Sequence, residues 1–268
     1  MSIQQLFFNS GEPVPLMTAT GGTIVLAGNY AFHYFYVSNS AQTFTVTYRK
    51  PDVNLTYDLT LIGSGADGEP GQEDDEDYGS LGGQGGAGGR LKELFTLAVP
   101  ASPSNSAEIN VALGNLNATM AWSSGGPSYT SSGGPYDNAG GYSGEGANGN
   151  DDPELEATDG GYGTNIIPET AYLGVQAGSG GGGGGGGASQ SLPGAAGGTG
   201  GGGGGTGGAG GSFNVAAANG ANGSGSGNGH YGMGGGGGGG AYQQTTPGGS
   251  GGTGTGGVVL IVYQRQTT

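Results

Sequence analysis

From Thr170 to Gln264 the chain has no Asp, Glu, Lys or Arg, and glycine is the commonest residue there, with uninterrupted runs at Gly180 to Gly187, Gly200 to Gly205 and Gly234 to Gly240. Few folds tolerate such a stretch. Glycine loses the most backbone freedom on ordering, about 0.5–1 kcal/mol more than alanine at each position, and it has no side chain to bury in return. One reading is a flexible tether. Disordered segments, however, are usually enriched in Pro, Glu, Ser and Lys, whereas a lack of charge is what a packed interior tolerates. The stretch also ends in Val258-Val259-Leu260-Ile261-Val262-Tyr263, the strongest strand signal in the chain. A glycine segment that ends in a strand returns to a sheet and is held at both ends.

The order available to such a segment is made of backbone. Polyglycine can take the extended threefold helix related to polyproline II, rising about 3.1 Å per residue without internal hydrogen bonds. Every N–H and C=O then points outward, and without Cβ atoms several such rods can lie close enough to bond one another laterally. Breaks such as Gln190-Ser191-Leu192-Pro193, Asn214-Val215 and Gln243 to Pro247 are expected to turn the chain between rods. No Gly-X-Y period is sustained, which excludes collagen.

The first 62 residues read as strands. Thr23 to Leu26, Tyr30 to Ser38, Thr43 to Arg49 and Leu55 to Ile62 are rich in β-branched and aromatic residues and are separated by Gly, Asn and Ser turns. Thr43 to Tyr48 and Tyr57 to Leu61 alternate with period two, which predicts one buried face. Leu91 to Val99 and Ala107 to Leu113 add two strand-like segments. The stretch from Ser123 to Tyr172 shows no period that predicts a helix or strand. The expected fold is mainly β: an antiparallel sheet or sandwich framing a bundle of polyglycine-II rods, with no significant α-helix. The expected divisions are strands over 1–62, a glycine and acidic loop with a strand pair over 63–122, Tyr/Gly/acidic loops over 123–172, the bundle over 173–257, and the closing strand and tail over 258–268.

Hydrophobic residues make up only 32% of the chain, so a side-chain core is not expected to extend through all of it. A net charge of −15 with five basic residues argues against nucleic acid and against insertion into or binding to anionic membranes. Cysteine is absent, which removes disulfides and thiolate chemistry. Residues Met1 to Phe8 show no export signal, and no segment approaches the length of a membrane span.

Catalytic patterns are missing as well. No Lys follows the glycines as in a phosphate-binding loop, and no Gly-x-Ser-x-Gly sits between a strand and a helix. No enzyme activity is expected. His33 and His230 stand far apart in sequence with no cysteine, so zinc is not expected. The acidic cluster around Glu73, Asp74, Asp75 and Asp77 has the oxygen ligands Ca²⁺ takes, against the alternative of a solvated, self-repelling loop. Tyr129, Tyr136, Tyr142, Tyr162 and Tyr172, interleaved with Gly, Ser and Asn, form the palette of recognition loops, rigid amphipathic rings on an adaptable backbone. The alternative is that these rings cover the edges of the glycine bundle.

The order of these features resembles the glycine-rich domain of tail-fibre and other structural proteins of tailed phages. The likeness runs from Ala19-Thr20-Gly21-Gly22-Thr23 through Gly28-Asn29-Tyr30, His33-Tyr34-Phe35, Thr43 to Thr47 and Leu59 to Gly63. It resumes at Gly85 to Arg90 and closes at Gly251 to Tyr263. Tail-fibre adhesins of some such phages use polyglycine-II packing capped by sheets, with variable loops that bind the host. The chain departs from them in having no Trp-rich attachment segment at its N-terminus. The resemblance implies a surface-exposed virion protein of tail fibre or tail tip, without cofactor. Its implied partners are other virion proteins and, through the tyrosine loops, a host-surface glycan or outer-membrane protein, with homo-oligomers in the particle. Competing expectations are a head-decoration or tail-assembly protein, and a secreted glycine-rich matrix or ice-binding protein.

Overall fold

The computed structural model describes residues 14–71, 82–83, 85–89, 91–101, 105–112, 117–123, 125–131, 184, 196–197, 205, 207–211, 216–223, 231–232, 234–240 and 247–267. Among these residues the protein is mainly β and has no helix. The strands are β1 (Met17–Thr20), β2 (Thr23–Ala27), β3 (Tyr30–Tyr36), β4 (Gln42–Arg49), β5 (Thr56–Ile62), β6 (Leu91–Ala98), β7 (Ser106–Val111), β8 (Ala118–Trp122), β9 (Ser128–Ser131) and β10 (Val258–Gln264). They form two five-stranded antiparallel sheets, ordered β1-β4-β7-β8-β9 and β2-β3-β10-β5-β6.

The expected strands are present and, of the sheet or sandwich expected, they form the sandwich, because β1 and β4 pair with each other and β4 pairs with β7 while β2 and β3 join the other sheet. Alternation explains the layering. Phe44 and Val46 of β4, Ile109 of β7 and Met120 of β8 face Phe35 of β3, Leu59 and Leu61 of β5, and Val259 and Ile261 of β10, and all are buried. Three elements appear where no strand was expected: β1, β8, which pairs antiparallel with β7, and β9, which lies inside the stretch without a predicted period. Four, five and four residues long, they are too short to show a period.

Strand β10 lies at the centre of its sheet, paired with β3 on one side and β5 on the other. Val259, Ile261 and Tyr263 face the core, while Val258, Leu260 and Val262 on the opposite face are buried too. An unbroken apolar run, rather than an alternating one, is what a strand covered on both faces requires.

The glycine segments attach where β5, β6 and β10 meet. Their backbone amides bond neighbouring segments at intervals of three residues. The N–H groups of Gly65, Gly68 and Gly71 donate to the carbonyls of Thr255, Gly252 and Gly249 at 2.9, 2.8 and 2.8 Å. Those of Gly83, Gly86 and Gly89 donate to Gly238, Gly235 and Gly232, and those of Gly205, Gly208 and Gly211 to Gly234, Gly237 and Gly240. Acceptor numbers fall in the first two sets and rise in the third, so neighbours run antiparallel in two cases and parallel in one.

Gly234–Gly240 is buried throughout its length. Its own amides reach further neighbours: Gly235 and Gly238 donate to Ala66 and Glu69, and Gly236 and Gly239 donate to Ala221 and Ala218. The backbones approach so closely that only glycine fits. A Cβ on Gly238 would fall on the carbonyl oxygen of Gly249, one on Gly239 on that of Ala209, and one on Gly184 on that of Gly238.

Gly238→Ala therefore forces backbones apart, an overpacking cost at or above about 3 kcal/mol. Gly28→Ala, at φ +56° with open space around it, costs only the left-handed backbone penalty of about 1–2 kcal/mol. Calorimetric unfolding of the two variants, with hydrogen exchange at Gly234–Gly240, measures the difference.

Candidate functional site

The pairing registers give the molecule two unlike ends. At one end lie both described chain ends: Thr267 N–H donates to Val14 C=O at 3.0 Å, Leu16 N–H to Arg265 C=O at 2.9 Å and Lys50 N–H to Leu16 C=O at 2.8 Å. Arg265 reaches the Gly28 carbonyl in the β2–β3 turn, with its Nε at 3.4 Å and its Nη2 at 3.3 Å. At the other end β5 runs out through Ile62 into Gly63, β6 begins at Leu91 and β10 begins at Val258. The glycine segments extend from there. Gly71, Gly211 and Gly240 lie at the ends of their segments farther from the sandwich, because Gly63 and Gly257 adjoin Ile62.

Three of the five basic residues, Arg49, Lys50 and Arg265, gather at the end with Val14 and Thr267. Arg49 donates through Nη1 to the Pro100 carbonyl, and burial lowers its pKa from the usual guanidinium value. Beside it a cleft of about 410 Å³ is lined by Arg49, Lys50, Val53, Leu55, Thr56 and Val99 among others. Two cations over an apolar floor suit contact with an acidic neighbour.

An aromatic cluster marks the junction with the glycine segments. Tyr34 and Tyr36 stack at 6.1 Å, and Tyr36 stacks on Tyr231 at 6.1 Å. Burial, and then the neighbouring Tyr36, push the Tyr231 hydroxyl well above the usual phenol range. Tyr231 also packs with Ile62, Val258 and Leu91, so it ties the segment leading to Gly234–Gly240 to the outer face of the sheet.

Two polar pairs are sealed in the core. Trp122 donates its indole Nε1–H to the Tyr57 hydroxyl at 2.8 Å. His33 is fully buried, with Nδ1 at 2.8 Å from the Gly21 carbonyl and Nε2 at 3.3 Å from the Tyr263 hydroxyl. A carbonyl only accepts, so Nδ1 carries the proton and Nε2 accepts from Tyr263. Burial lowers the pKa of His33, and the Gly21 bond offsets this in part. In the sequence His33 stands only as a histidine far from His230; the pairing with Tyr263, 230 residues away, has no local signal.

Of the tyrosines read as recognition residues, Tyr129 lies in β9, half-buried and packed against the core, where it adjoins Tyr57. Tyr136, Tyr142, Tyr162 and Tyr172 lie outside the described residues, as do Glu73, Asp74, Asp75 and Asp77. Among the described residues no group of three His, Asp or Glu side chains is placed to hold a metal. No family model matches the chain, and no curated protein matches it either.

Two measurements test the buried pairs. Tyr57→Phe leaves the Trp122 indole N–H without its acceptor and costs about 1–3 kcal/mol, read as a shifted denaturation midpoint. Because His33 has a lowered folded-state pKa, its protonation favours unfolding. Stability is then full above the unfolded value of about 6.5 and is lost as pH falls below it toward the folded pKa. The urea midpoint should drop between pH 7.5 and pH 5.5, and His33→Asn should flatten that dependence whatever its own cost.

Proposed function

We propose that the chain is a structural protein of a phage virion, of the tail-fibre or tail-tip kind, whose sandwich is the anchored base and whose glycine segments form a displayed polyglycine-II bundle. The observation that carries this reading is polarity. Both described chain ends and three cations share one end, and the glycine segments leave from the other. A part built into a particle through its cationic end presents the opposite end outward.

The bundle is supported by the three-residue interval of the amide bonds, since polyproline-II-like chains repeat every three residues and return an amide to the same side once per turn. A host-binding role is supported by where the chain leaves the sandwich. Strand β9 ends at Ser131, paired with Ala118, on the same side as the glycine segments, and Tyr136, Tyr142, Tyr162 and Tyr172 follow it in sequence, outside the described residues. Recognition there is non-covalent, and many copies on one particle raise its effective concentration. Tyr129 is omitted from this set because its ring packs on the core.

Virions carrying Tyr136→Ala, Tyr142→Ala, Tyr162→Ala and Tyr172→Ala together should adsorb to host cells at least tenfold more slowly, since each lost aromatic anchor costs on the order of 1–2 kcal/mol. Unchanged adsorption by assembled particles removes the host-binding role. Absence of the chain from purified particles removes the virion role as well.

A further inference from the structure

The sandwich has four open edges, β1 and β9 in one sheet and β2 and β6 in the other. An exposed edge presents unpaired N–H and C=O groups to any passing strand, and natural sheets blunt it with short strands, bulges or charges. Three of the four edges carry such devices. β1 has four residues and a register shift between Thr18 and Ala19. β9 also has four residues. β6 carries Lys92 and Glu93, and its pairing with β5 is broken between Tyr57 and Leu59, where Thr96 takes a φ of 56°.

β2 has none of these. Thr23-Ile24-Val25-Leu26-Ala27 has no charge and no proline, and its register with β3 is unbroken from Thr23↔Tyr34 to Ala27↔Tyr30. Every residue in it is exposed, with Ile24 at 44%, Val25 at 48% and Leu26 at 59%. Ile24 and Leu26 pair with His33 and Ala31, both buried residues of the inner face. These two apolar side chains therefore stand on the core side of the sheet at a flank that none of the described residues closes.

Charge identifies the occupant. From Pro13 to Tyr48 the sequence contains no Asp, Glu, Lys or Arg, so β1, β2, β3 and all of β4 before Arg49 carry no charge of their own on a chain of net charge −15, and Arg265 reaches this side at the Gly28 carbonyl of the β2–β3 turn. A charged partner finds no charge along β2 itself to pair with. A second copy, repelled elsewhere by like charge, meets no repulsion on this side. We propose that β2 pairs antiparallel with β2 of a second copy across a two-fold axis at Val25, joining the two five-stranded sheets into one. Val25 then faces Val25, Ile24 faces Leu26 and Thr23 faces Ala27, and the exposed Ile24 and Leu26 of both copies close the two flanks together. The inference stands on the sandwich alone and does not depend on the virion reading.

The chain has no cysteine, so a single introduced thiol reports cleanly. Directly opposed residues of antiparallel strands have Cα atoms about 4.5–5.5 Å apart, inside the range of about 4.4–6.8 Å that a disulfide spans. Full-length Val25→Cys should form a disulfide-linked dimer under mild oxidation, whereas Phe95→Cys, equally exposed on β6, should stay single. By sedimentation the unmodified chain should run as a dimer. Val25→Lys, which sets two like charges opposite each other, should weaken self-association at least tenfold while keeping the β-rich circular dichroism of the parent. A single-chain mass at about 100 µM, a three-chain or larger mass, or linkage through Phe95→Cys in place of Val25→Cys overturns the proposal.

Discussion

The structure depends on the insertion of β10 between β3 and β5. Without it the sheet β2-β3-β10-β5-β6 is two fragments, and the core loses Val259, Ile261 and Tyr263 together with the acceptor arrangement of His33. Val259 is paired to Phe35 and to Leu61, partners some two hundred residues earlier in the chain. Loop-closure entropy grows only slowly with length, so the long excursion adds little to the cost of the contact, while its non-local character slows folding. The same insertion holds both ends of the glycine region. Gly63 leaves β5 and Gly257 enters β10 as neighbours, with the Gly257 Cα tight against the Ile62 carbonyl.

Held in that way, the glycine segments solve their own hydrogen bonding. A buried amide left unpaired costs about 1–3 kcal/mol, while a formed bond contributes about 0.5–1.5 kcal/mol net, so a segment such as Gly234–Gly240 is viable only when neighbours lie on several sides. The segments at 65–71, 83–89, 205–211 and 216–223 and the one at 249–256 supply them. Where a segment faces solvent and lacks a further neighbour, side chains take over. The Asn219 and Asn222 carbonyl oxygens accept from Ser250 and Thr253 N–H at 2.8 and 2.9 Å, and an Asp67 carboxylate oxygen accepts from Gly254 N–H at 2.8 Å. The three-residue interval recurs in these side chains because Asn219 and Asn222 occupy equivalent places one repeat apart.

That interval was also the signal in the sequence that composition obscured. The long runs Gly180 to Gly187 and Gly234 to Gly240 dominate the composition, whereas Gly65-x-x-Gly68-x-x-Gly71 and Gly83-x-x-Gly86-x-x-Gly89 stand within the stretch expected to be a glycine and acidic loop. Their glycines fall at the positions of close backbone approach, and Asp67, Glu69 and Pro70 between them are exposed. Charge did not exclude those stretches from packing, because only every third residue must lack a side chain. The sandwich was legible wherever strands were long enough to alternate, as in β4 and β5, or were apolar throughout, as in β10. β1, β8 and β9 were not, since four or five residues of Thr, Ser, Ala and Met carry no period of their own and owe their state to the strands beside them. The buried pairs were illegible for a further reason: Trp122 meets Tyr57 only through the stacking of the two sheets, and His33 meets Tyr263 only through the pairing of β3 with β10.

A core made of backbone changes what sequence variation can do. In the sandwich, a substitution at Phe44 or Leu61 alters packing directly, and the cost of large-to-small changes there is about 2–5 kcal/mol. In the glycine segments the positions of closest backbone approach accept no side chain, so they are fixed as glycine, while residues between them, such as Asp67 and Asn219, are exposed and can bond a neighbouring amide. Stability and surface chemistry are thereby assigned to different residues. Asn219, Asn222 and Asp67 are held to their types by the backbone N–H groups they accept, whereas an exposed position such as Thr253, which bonds through its backbone, can change its side chain at small cost to the fold. A surface that must vary without refolding its support is well served by this division, and the uncharged, unblunted edge at β2 is the opposite case, a place where the sequence offers shape and hydrogen bonds to a fixed partner.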